Sequence, residues 1–204
     1  MDSKEIKKVF STFKKNYQEI PLEVFKDPYK ILISTLLSSR TRDEATLEAS
    51  KKLFQKAPTV KKLKELKVRE ISKLIKGVGF YKTKANHLNR LAKIVVSRFK
   101  GKIPSTHKDL RKLPGVGRKT ANLTLNRAFG IPAIAVDTHV HRISNLLGWV
   151  NTKSPEQTER ALRKTLPKKY WTEINRLFVS IGRQFSSKKK LEFFLRQKKL
   201  ISTD

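Results

Sequence analysis

The chain has 204 residues, of which 38% are hydrophobic, enough for a folded core. Its 47 Lys and Arg against 17 Asp and Glu give a formal charge of +30, which attracts a polyanion such as nucleic acid, although a ribosomal or chromatin-type protein has the same property. The absence of cysteine excludes disulfides, thiolate nucleophiles, zinc fingers and any iron-sulfur cluster held by Cys.

No stretch of the chain reaches the roughly 20 apolar residues that a membrane-spanning helix needs. Residues 1–8 also lack the apolar region of a secretory signal. We therefore expect a protein that works inside the cell and has no membrane partner. The length fits one large domain or two small ones.

Helix signals recur along the chain, and no alternating pattern of a strand is present, which predicts an all-α fold. An apolar stripe marks the first helix and consists of Ile6, Val9, Phe10, Phe13 and Tyr17. Asp27 and Pro28 provide an N-cap and an N1 proline for a second helix over 29–37. Thr41 and Glu44 predict a capping box for the third.

Glycines and capping residues bound the later helices. Gly77 is interpreted as the C-cap of a short helix, and Gly101 closes a longer basic one. The predicted helices from residue 60 onward cover about 60–66, 69–76, 82–99, a short one capped by Thr106 and Asp109, 118–129, one from Asp137 to about 147, one opened by Ser154 and Pro155, 170–185 and 191–200.

Residues 113–122 read Leu-Pro-Gly-Val-Gly-Arg-Lys-Thr-Ala-Asn and indicate a tight turn that leads into a helix. Gly115 and Gly117 have no Cβ, so the backbone can turn with positive φ and approach another molecule closely. The first N–H groups of the following helix lie at the positive end of its dipole and suit a phosphate oxygen. The motif therefore predicts a phosphate-binding hairpin.

Lys119 lies beside this phosphate site, so its amine is near a sugar and within reach of C1′. The helix dipole, the neighbouring Arg118 and partial burial all favour the neutral, nucleophilic amine. Attack at C1′ would expel the base and leave a Schiff base. The alternative is a phosphate-contacting lysine, one of 47 basic residues.

Asp137 follows in Val136-Asp137-Thr138-His139 and would stabilise positive charge on the sugar and move protons. Aspartate is also a preferred N-cap, and the two roles can coexist. Thr138 and His139 are assigned supporting roles. His139 and His141 are two residues apart and face different sides of a helix, so we expect no zinc site.

A weaker echo of the hairpin precedes it. Gly77-Val78-Gly79 is followed by Lys84-Ala85-Asn86, much as the Gly-Val-Gly at 115–117 is followed by Lys-Thr-Ala-Asn at 119–122. Shared hairpin geometry is one interpretation. A plain glycine C-cap at the first site is the favoured one.

The hairpin at 113–122, the Val-Asp-Thr-His at 136–139 and several shorter segments together resemble the endonuclease III branch of the helix-hairpin-helix DNA glycosylases. The resemblance covers roughly residues 22–183 in uninterrupted order, and the Arg-Thr-Arg-Asp at 40–43 is most similar to archaeal members. We therefore expect a prokaryotic, archaeal-like member. The segments that carry the resemblance are 36–43, 79–81, 113–122, 129–130, 132, 135–139 and 182–183.

The resemblance implies a two-lobed all-α fold, with a six-helix barrel over 24–130 and a second lobe from 1–23 and 131–204. It implies a monomer that binds double-stranded DNA with damaged bases or abasic sites, and that rotates the damaged base out of the duplex. Arg40 and Phe80 match the side chains that fill the vacated hole; a surface salt bridge and a core position are the alternatives. DNA contacts are expected at Arg40, Phe80, Leu113, Gly115, Val116, Gly117, Arg118 and Thr120.

The activity implied is that of a bifunctional glycosylase and AP lyase with Lys119 and Asp137 as catalytic residues. It would remove oxidised pyrimidines and cleave 3′ to the abasic site by β-elimination. An 8-oxoguanine glycosylase/lyase and a non-catalytic helix-hairpin-helix protein are the alternatives. The resemblance also allows a monovalent cation on the backbone carbonyls of 113–116.

The chain departs from the family after Gly182, where most members carry four cysteines that hold a [4Fe-4S] cluster. Ser186-Ser187-Lys188-Lys189-Lys190 stands there instead, and we expect no cluster. An amphipathic helix that packs Leu191, Phe194 and Leu195 against the lobe is predicted to replace the cluster's structural role.

Overall fold

The computed structural model describes residues 2–202 and, over that range, consists of α-helices, two short 3-10 helices and connecting turns. The predicted all-α fold is confirmed. No helix within 2–202 is both long and apolar enough to span a bilayer. The 3-10 helices are Pro21–Val24 and Lys168–Tyr170. The α-helices are α1 (Ser3–Lys15), α2 (Pro28–Ser38), α3 (Asp43–Lys56), α4 (Val60–Glu65), α5 (Val68–Leu74), α6 (Tyr81–Arg98), α7 (His107–Leu110), α8 (Arg118–Phe129), α9 (Thr138–Leu146), α10 (Pro155–Thr165), α11 (Ile174–Gln184) and α12 (Lys188–Gln197).

The chain divides into two compact units. The central unit is Pro21–Ile131 and contains α2 to α8. The terminal unit combines the residues up to Ile20 with those from Pro132 onward, and contains α1 and α9 to α12. The assignment of 24–130 to a six-helix barrel stays a prediction.

Helix α2 forms the middle of the central unit. The Asp27 side chain accepts a hydrogen bond from the Lys30 N–H at 3.0 Å, which confirms the predicted N-cap. Nearly the whole helix is buried against α3 and α8, as expected for a helix that is apolar on all sides. The Tyr29 hydroxyl is satisfied by donating to the Ala57 carbonyl at 2.9 Å, and burial raises its pKa.

Helix α8 begins and ends at the predicted residues. Gly117 is its N-cap, and Gly130 ends it with φ +64°, the left-handed conformation typical of a glycine after a helix. Ala121 and Leu125 are buried where α8 packs against α2. This packing sets the position of the first turn of α8, which carries Lys119.

The terminal unit has an aromatic core. Phe10 of α1 stacks on Tyr170 with ring centroids 4.2 Å apart, and Phe13 meets the edge of Phe178 at 5.0 Å. Burying one such ring contributes about 1.5–3 kcal/mol. Four members of the predicted stripe, Ile6, Val9, Phe10 and Phe13, are buried as predicted, whereas Tyr17 lies two residues beyond the end of α1 and is half-buried.

Helix α12 packs on this core as predicted, with Leu191, Phe194 and Leu195 buried. Phe194 also stacks on Phe185 at a centroid distance of 4.3 Å. The connection between α11 and α12 is held by Arg142 of α9, whose guanidinium donates to three carbonyls. These belong to Gly182, Phe185 and Ser186.

The predicted capping box of the third helix is wrong. Arg42 occupies the N-cap of α3 and makes no side-chain capping hydrogen bond. The Thr41 hydroxyl instead donates to the Ser39 carbonyl at 3.2 Å and accepts from the Gly79 N–H at 3.1 Å. A contact 38 residues away along the chain therefore replaced the local cap.

The predicted C-cap at Gly77 is also wrong. Helix α5 ends at Leu74 with Ile75 as its cap residue, and Gly77 has a φ outside the left-handed region. The Val78 N–H donates to the Ile75 carbonyl at 2.9 Å, so Gly77 lies inside a closed turn. The glycine serves the turn and not the helix end.

Candidate active site

The hairpin turn is anchored at its first glycine. The Val116 N–H donates to the Leu113 carbonyl at 3.1 Å, and Pro114 followed by Gly115 at φ +77° has the pattern of a type II turn. A Cβ on Gly115 would lie 2.8 Å from Nδ1 of His87 on α6. Both backbone conformation and close packing therefore require glycine here.

The second glycine leaves the start of α8 open. Gly117 has an ordinary extended backbone, with φ −82° and ψ 178°. A Cβ built on it would meet no atom of the described residues within 4 Å, and no side chain caps the helix. The first hydrogen bond of α8 runs from the Ala121 N–H to the Gly117 carbonyl at 2.9 Å. The space beside Gly117 at the start of α8 is therefore open, and the start of a helix is where an anion is favoured.

Three of the predicted DNA-contact residues have buried side chains. Leu113 is 2% exposed, Val116 6% and Thr120 7%. Their side chains hold the hairpin on its unit, so only their backbone groups remain for a ligand. Arg118 is half-buried at the first position of α8.

Lys119 is half-buried at the second position of α8. Among residues 2–202, no group forms an ion pair or hydrogen bond with its ammonium. Most structural lysines pair with a carboxylate or lie in solvent. The Lys119 amine is thus held near the open helix start without being engaged.

Asp137 is the N-cap of α9, as the sequence predicts. Its Oδ1 accepts from the N–H groups of His139 at 3.0 Å and Val140 at 2.9 Å. Its Oδ2 has no hydrogen-bond partner among the described residues. One carboxylate oxygen is therefore fixed by the helix, and the other is available to a ligand.

His139 packs against α11, since a Cβ on Gly182 would lie 2.3 Å from its Nδ1. This contact joins the Val-Asp-Thr-His motif to Gly182, which lies far along the chain. His141 points elsewhere and pairs with the Thr158 hydroxyl at 2.6 Å. Thr138 is exposed at the first position of α9.

Arg40 and Phe80 lie together although they are 40 residues apart in sequence. The Arg40 Cζ is 4.7 Å from the centroid of the Phe80 ring, a cation–π contact. Phe80 is 58% exposed, which argues against a core position. Both residues adopt left-handed backbone conformations, with φ +54° and +56°. Such conformations are unfavourable for residues with a Cβ and concentrate at functional sites.

Lys84, for which the sequence predicts no role, is buried and donates to the carbonyls of Leu37 and Ser39. Its position in the Lys-Ala-Asn echo was the available signal. Burial lowers the pKa of Lys84 to about 8. Lys84 is therefore, after Lys119, a second lysine of the central unit that is removed from solvent at least in part and has no carboxylate partner among the described residues.

Residues 33–168 match the family model described as HhH-GPD superfamily base excision DNA repair protein. Endonuclease III of Thermotoga maritima is 47% identical over 178 residues, which cover 87% of this chain and 81% of that protein. Endonuclease III of Rickettsia felis is 35% identical over 191 residues, covering 93% and 90%. Both relatives are bacterial, so the expected archaeal affinity has no support.

A solved structure of a trapped covalent intermediate of an endonuclease III with DNA superposes with a TM-score of 0.83 at 32% identity. The match covers 92% of this chain and 89% of that one. The chain therefore belongs to the HhH-GPD superfamily of base excision DNA repair proteins and, within it, to the endonuclease III family of DNA glycosylases.

Proposed function

We propose that this glycosylase and AP lyase removes oxidised pyrimidines from duplex DNA, acts as a monomer and uses Lys119 as its nucleophile. The observation that carries the proposal is the unengaged Lys119 amine, held one residue beyond the open N-terminus of α8. A phosphate seated on the first turn of α8 would bring the adjoining deoxyribose to the amine.

The reaction follows from an amine at C1′. Lys119 Nζ forms a bond to C1′ while the bond from C1′ to the base nitrogen breaks, and the base departs after taking up a proton. The sugar ring then opens, because the bond from C1′ to O4′ breaks as Nζ forms a double bond to C1′ and O4′ takes up a proton. The resulting imine acidifies C2′, so a proton is lost there and the bond from C3′ to oxygen breaks. This leaves an unsaturated imine of Lys119 on one strand end and a 5′-phosphate on the other. Water then hydrolyses the imine, which releases Lys119 and leaves an unsaturated aldehyde.

Asp137 is proposed to stabilise the positive sugar as the base leaves and to move protons to and from the lysine. Its two oxygens permit this, because Oδ1 caps α9 while Oδ2 keeps its lone pairs for the substrate. Thr138 and His139 support it by setting the start of α9.

Arg40 and Phe80 are proposed to fill the space that the extruded base leaves. A flat ring and a flat guanidinium can both stack on the orphaned base opposite. Their mutual contact and the exposure of Phe80 present them as one unit to the duplex. The hairpin residues Leu113, Gly115, Val116, Gly117, Arg118 and Thr120 would hold the DNA backbone, and a monovalent cation on the carbonyls of 113–116 stays a prediction.

The protein is proposed to work without an iron-sulfur cluster. The sequence has no thiolate to hold one, and no group of His, Asp or Glu within residues 2–202 is arranged to bind a metal. The connection between α11 and α12 is instead held by Arg142 and by the Phe185–Phe194 stack. Purified protein should lack iron absorption, and deletion of residues 187–204 should reduce both stability and DNA affinity. Visible iron absorption, or an unaffected deletion variant, would contradict this assignment.

Borohydride trapping tests the proposed nucleophile. Wild-type protein incubated with a thymine-glycol duplex and borohydride should form a covalent adduct, because reduction traps the imine. Lys119→Ala should lose the adduct and still bind the duplex. Lys62→Ala, which removes an exposed lysine paired with Glu65, is the matched control and should trap normally. An adduct that persists in Lys119→Ala would assign the nucleophile to another residue.

The same assay decides the substrate class. Thymine glycol, 5-hydroxycytosine and dihydrouracil duplexes should be processed faster than an 8-oxoguanine duplex. A reversed preference would favour the 8-oxoguanine alternative and leave the role of Lys119 intact.

A further inference from the structure

We propose that Lys84 is a positioning residue for the Arg40–Phe80 pair. Its ammonium connects the loop of residues 38–41 to the first turn of α6 through hydrogen bonds. These bonds hold the side chains of Arg40 and Phe80 in the arrangement that is proposed to enter the duplex. The inference rests on the proposed role of this pair.

Lys84 is an unusually placed lysine. It is 7% exposed, and Nζ donates to the carbonyl of Leu37 at 2.8 Å, to that of Ser39 at 2.5 Å and to the Thr41 hydroxyl at 3.3 Å. An ammonium has three N–H donors, so each is used. No carboxylate within residues 2–202 pairs with it. Burying a cation without a counter-ion is unfavourable, and these three bonds are what offset it.

The acceptors belong to the end of a helix. Leu37 lies in the last turn of α2, where carbonyls have no partner within the helix and the dipole is negative. Ser39 follows directly after the helix. Lys84 therefore caps α2 from a neighbouring helix, and it does so with a positive charge at the favourable end of the dipole.

Two of the oxygens bound by Lys84 flank Arg40, since they belong to Ser39 and Thr41. The left-handed backbone of Arg40 persists only if its surroundings hold it, and these two bonds hold it on both sides. Phe80 lies one turn before Lys84, whose N–H donates to the Phe80 carbonyl at 3.0 Å. A single residue is thus bonded to the backbones on which both side chains stand.

A second contact joins the same two segments, the loop of residues 38–41 and the start of α6, and the two contacts together form what we call the clamp. The Thr41 hydroxyl accepts from the Gly79 N–H at 3.1 Å as well as from Lys84. A Cβ on Gly79 would lie 2.5 Å from the Arg40 carbonyl oxygen, so the two loops touch through their backbones. Loosening this clamp should let Arg40 and Phe80 separate without moving the α8 hairpin.

Lys84→Met keeps the length of the side chain and removes the three donors. We expect single-turnover excision of thymine glycol to fall about tenfold, and cleavage at a ready-made abasic site to change less than about twofold. Lys82→Met is the matched control, because it removes an exposed lysine from the same turn of α6 and should leave both rates unchanged. Equal losses of Lys84→Met on the two substrates would overturn the proposal.

A double-mutant cycle separates positioning from general stability. If Lys84 acts through the pair, Lys84→Met should have almost no further effect on excision in the Arg40→Ala/Phe80→Ala background. A merely structural residue would lose activity additively, and additive losses would overturn the inference. Thr41→Val, which breaks the clamp but keeps Lys84, should show the same substrate selectivity and replaces Lys84→Met if thermal denaturation shows that variant to be unfolded.

The failure of this inference differs from that of the proposed function. Selective loss in Arg40→Ala/Phe80→Ala with normal excision in both Lys84→Met and Thr41→Val overturns only the role of Lys84. Equal losses in Arg40→Ala/Phe80→Ala on both substrates overturn the pair's role and the inference with it. Borohydride trapping reports on Lys119 independently of both results.

Discussion

The turns before α6 and α8 share a sequence pattern and a hydrogen bond, but they serve opposite purposes. Residues 75–79 and 113–117 both read as an aliphatic residue, one variable residue and Gly-Val-Gly. In each turn the valine N–H donates to the carbonyl of the aliphatic residue, at 2.9 and 3.1 Å respectively. Both valines are buried. The echo in the sequence therefore corresponds to a shared hydrogen bond, although the backbone differs at the first glycine, where only Gly115 has a positive φ.

The glycines of the two turns differ in which one the protein itself requires. In the turn before α8 the first glycine is fixed, since Gly115 has φ +77° and contacts His87. In the turn before α6 the second is fixed, since Gly79 touches the Arg40 carbonyl. A Cβ built on Gly77 or on Gly117 would meet no atom of the described residues within 4 Å. The turn before α6 thus packs against another segment of the protein at the helix start, whereas the turn before α8 is open there.

The lysines that follow show the same contrast. Lys84 is buried with all three donors used, whereas Lys119 is half-buried and unengaged within residues 2–202. One amine holds a loop, and the other has no hydrogen-bond or ion-pair partner among the described residues. Similar local sequence therefore produced a clamp in one place and a proposed catalytic group in the other, and the neighbouring residues made the difference.

Asp137 has one engaged and one unengaged oxygen in the same side chain, because Oδ1 caps α9 and Oδ2 has no partner among the described residues. A substitution that keeps the cap and removes the charge has the largest expected effect. Asp137→Asn keeps an equally good N-cap, so the free energy of unfolding should change by less than about 0.5 kcal/mol. Loss of the charge should lower the rate of base excision about 100-fold or more. Chemical denaturation and single-turnover kinetics measure the two quantities. Normal excision would leave Asp137 with its capping role alone.

The two first glycines should respond differently to alanine. Gly115→Ala requires a left-handed alanine beside His87, so it should destabilise the protein by about 2–3 kcal/mol. Gly77→Ala meets neither obstacle and should be neutral or stabilise slightly, by up to about 1 kcal/mol. Urea denaturation of both variants checks this. Similar losses would mean that the turns have the same backbone geometry.

Gly117→Ala tests whether the open helix start is used. Its φ suits alanine and its Cβ would meet nothing within the described protein, so the fold should be almost unaffected. A methyl group in the path of a phosphate should weaken binding to an abasic-site duplex about tenfold. Binding is measured by fluorescence anisotropy at fixed salt, because affinity depends on ionic strength. Unchanged affinity would place the phosphate elsewhere.

The smallest expected effect is the pH dependence contributed by Lys84. The pKa of Lys84 in the folded protein, about 8, lies below the ordinary lysine value of 10.5, so the unfolded chain binds more protons between these values. The free energy of unfolding should therefore rise with pH between about 8 and 10.5, by on the order of 1 kcal/mol relative to Lys84→Met. Denaturation of both proteins at pH 7.5 and pH 10 gives the difference. A fall in this difference as pH rises would show that the charged clamp stabilises the fold more than burial opposes it.

Local signals predicted those features that depend on neighbours along the chain. The bounds of α8 and the caps at Asp27 and Asp137 depend on residues within about four positions, and the stripe of α1 is visible as a spacing of three and four, so the sequence displays all of them directly. The hairpin with its downstream Asp137 was specific enough to indicate the family. The roles of these residues in catalysis stay predictions.

Long-range contacts produced the error at Thr41 and the omission of Lys84. The Thr41 hydroxyl accepts from the Gly79 N–H and does not cap α3, and Lys84 donates to the end of α2, more than 40 residues away. The contact between His139 and Gly182 is of the same kind. No local pattern encodes such pairs, because each partner has an ordinary local environment until the chain has folded.

The sequence by itself determined that this protein is all-helical, strongly basic and equipped with a glycine hairpin, an amine and a carboxylate, because composition and short spacings carry that information. Only the tertiary structure decided which lysine became buried and which stayed free, and it brought Arg40 to Phe80. The physical reason is that burial and the supply of hydrogen-bond acceptors depend on helices that meet in space, far from one another along the chain.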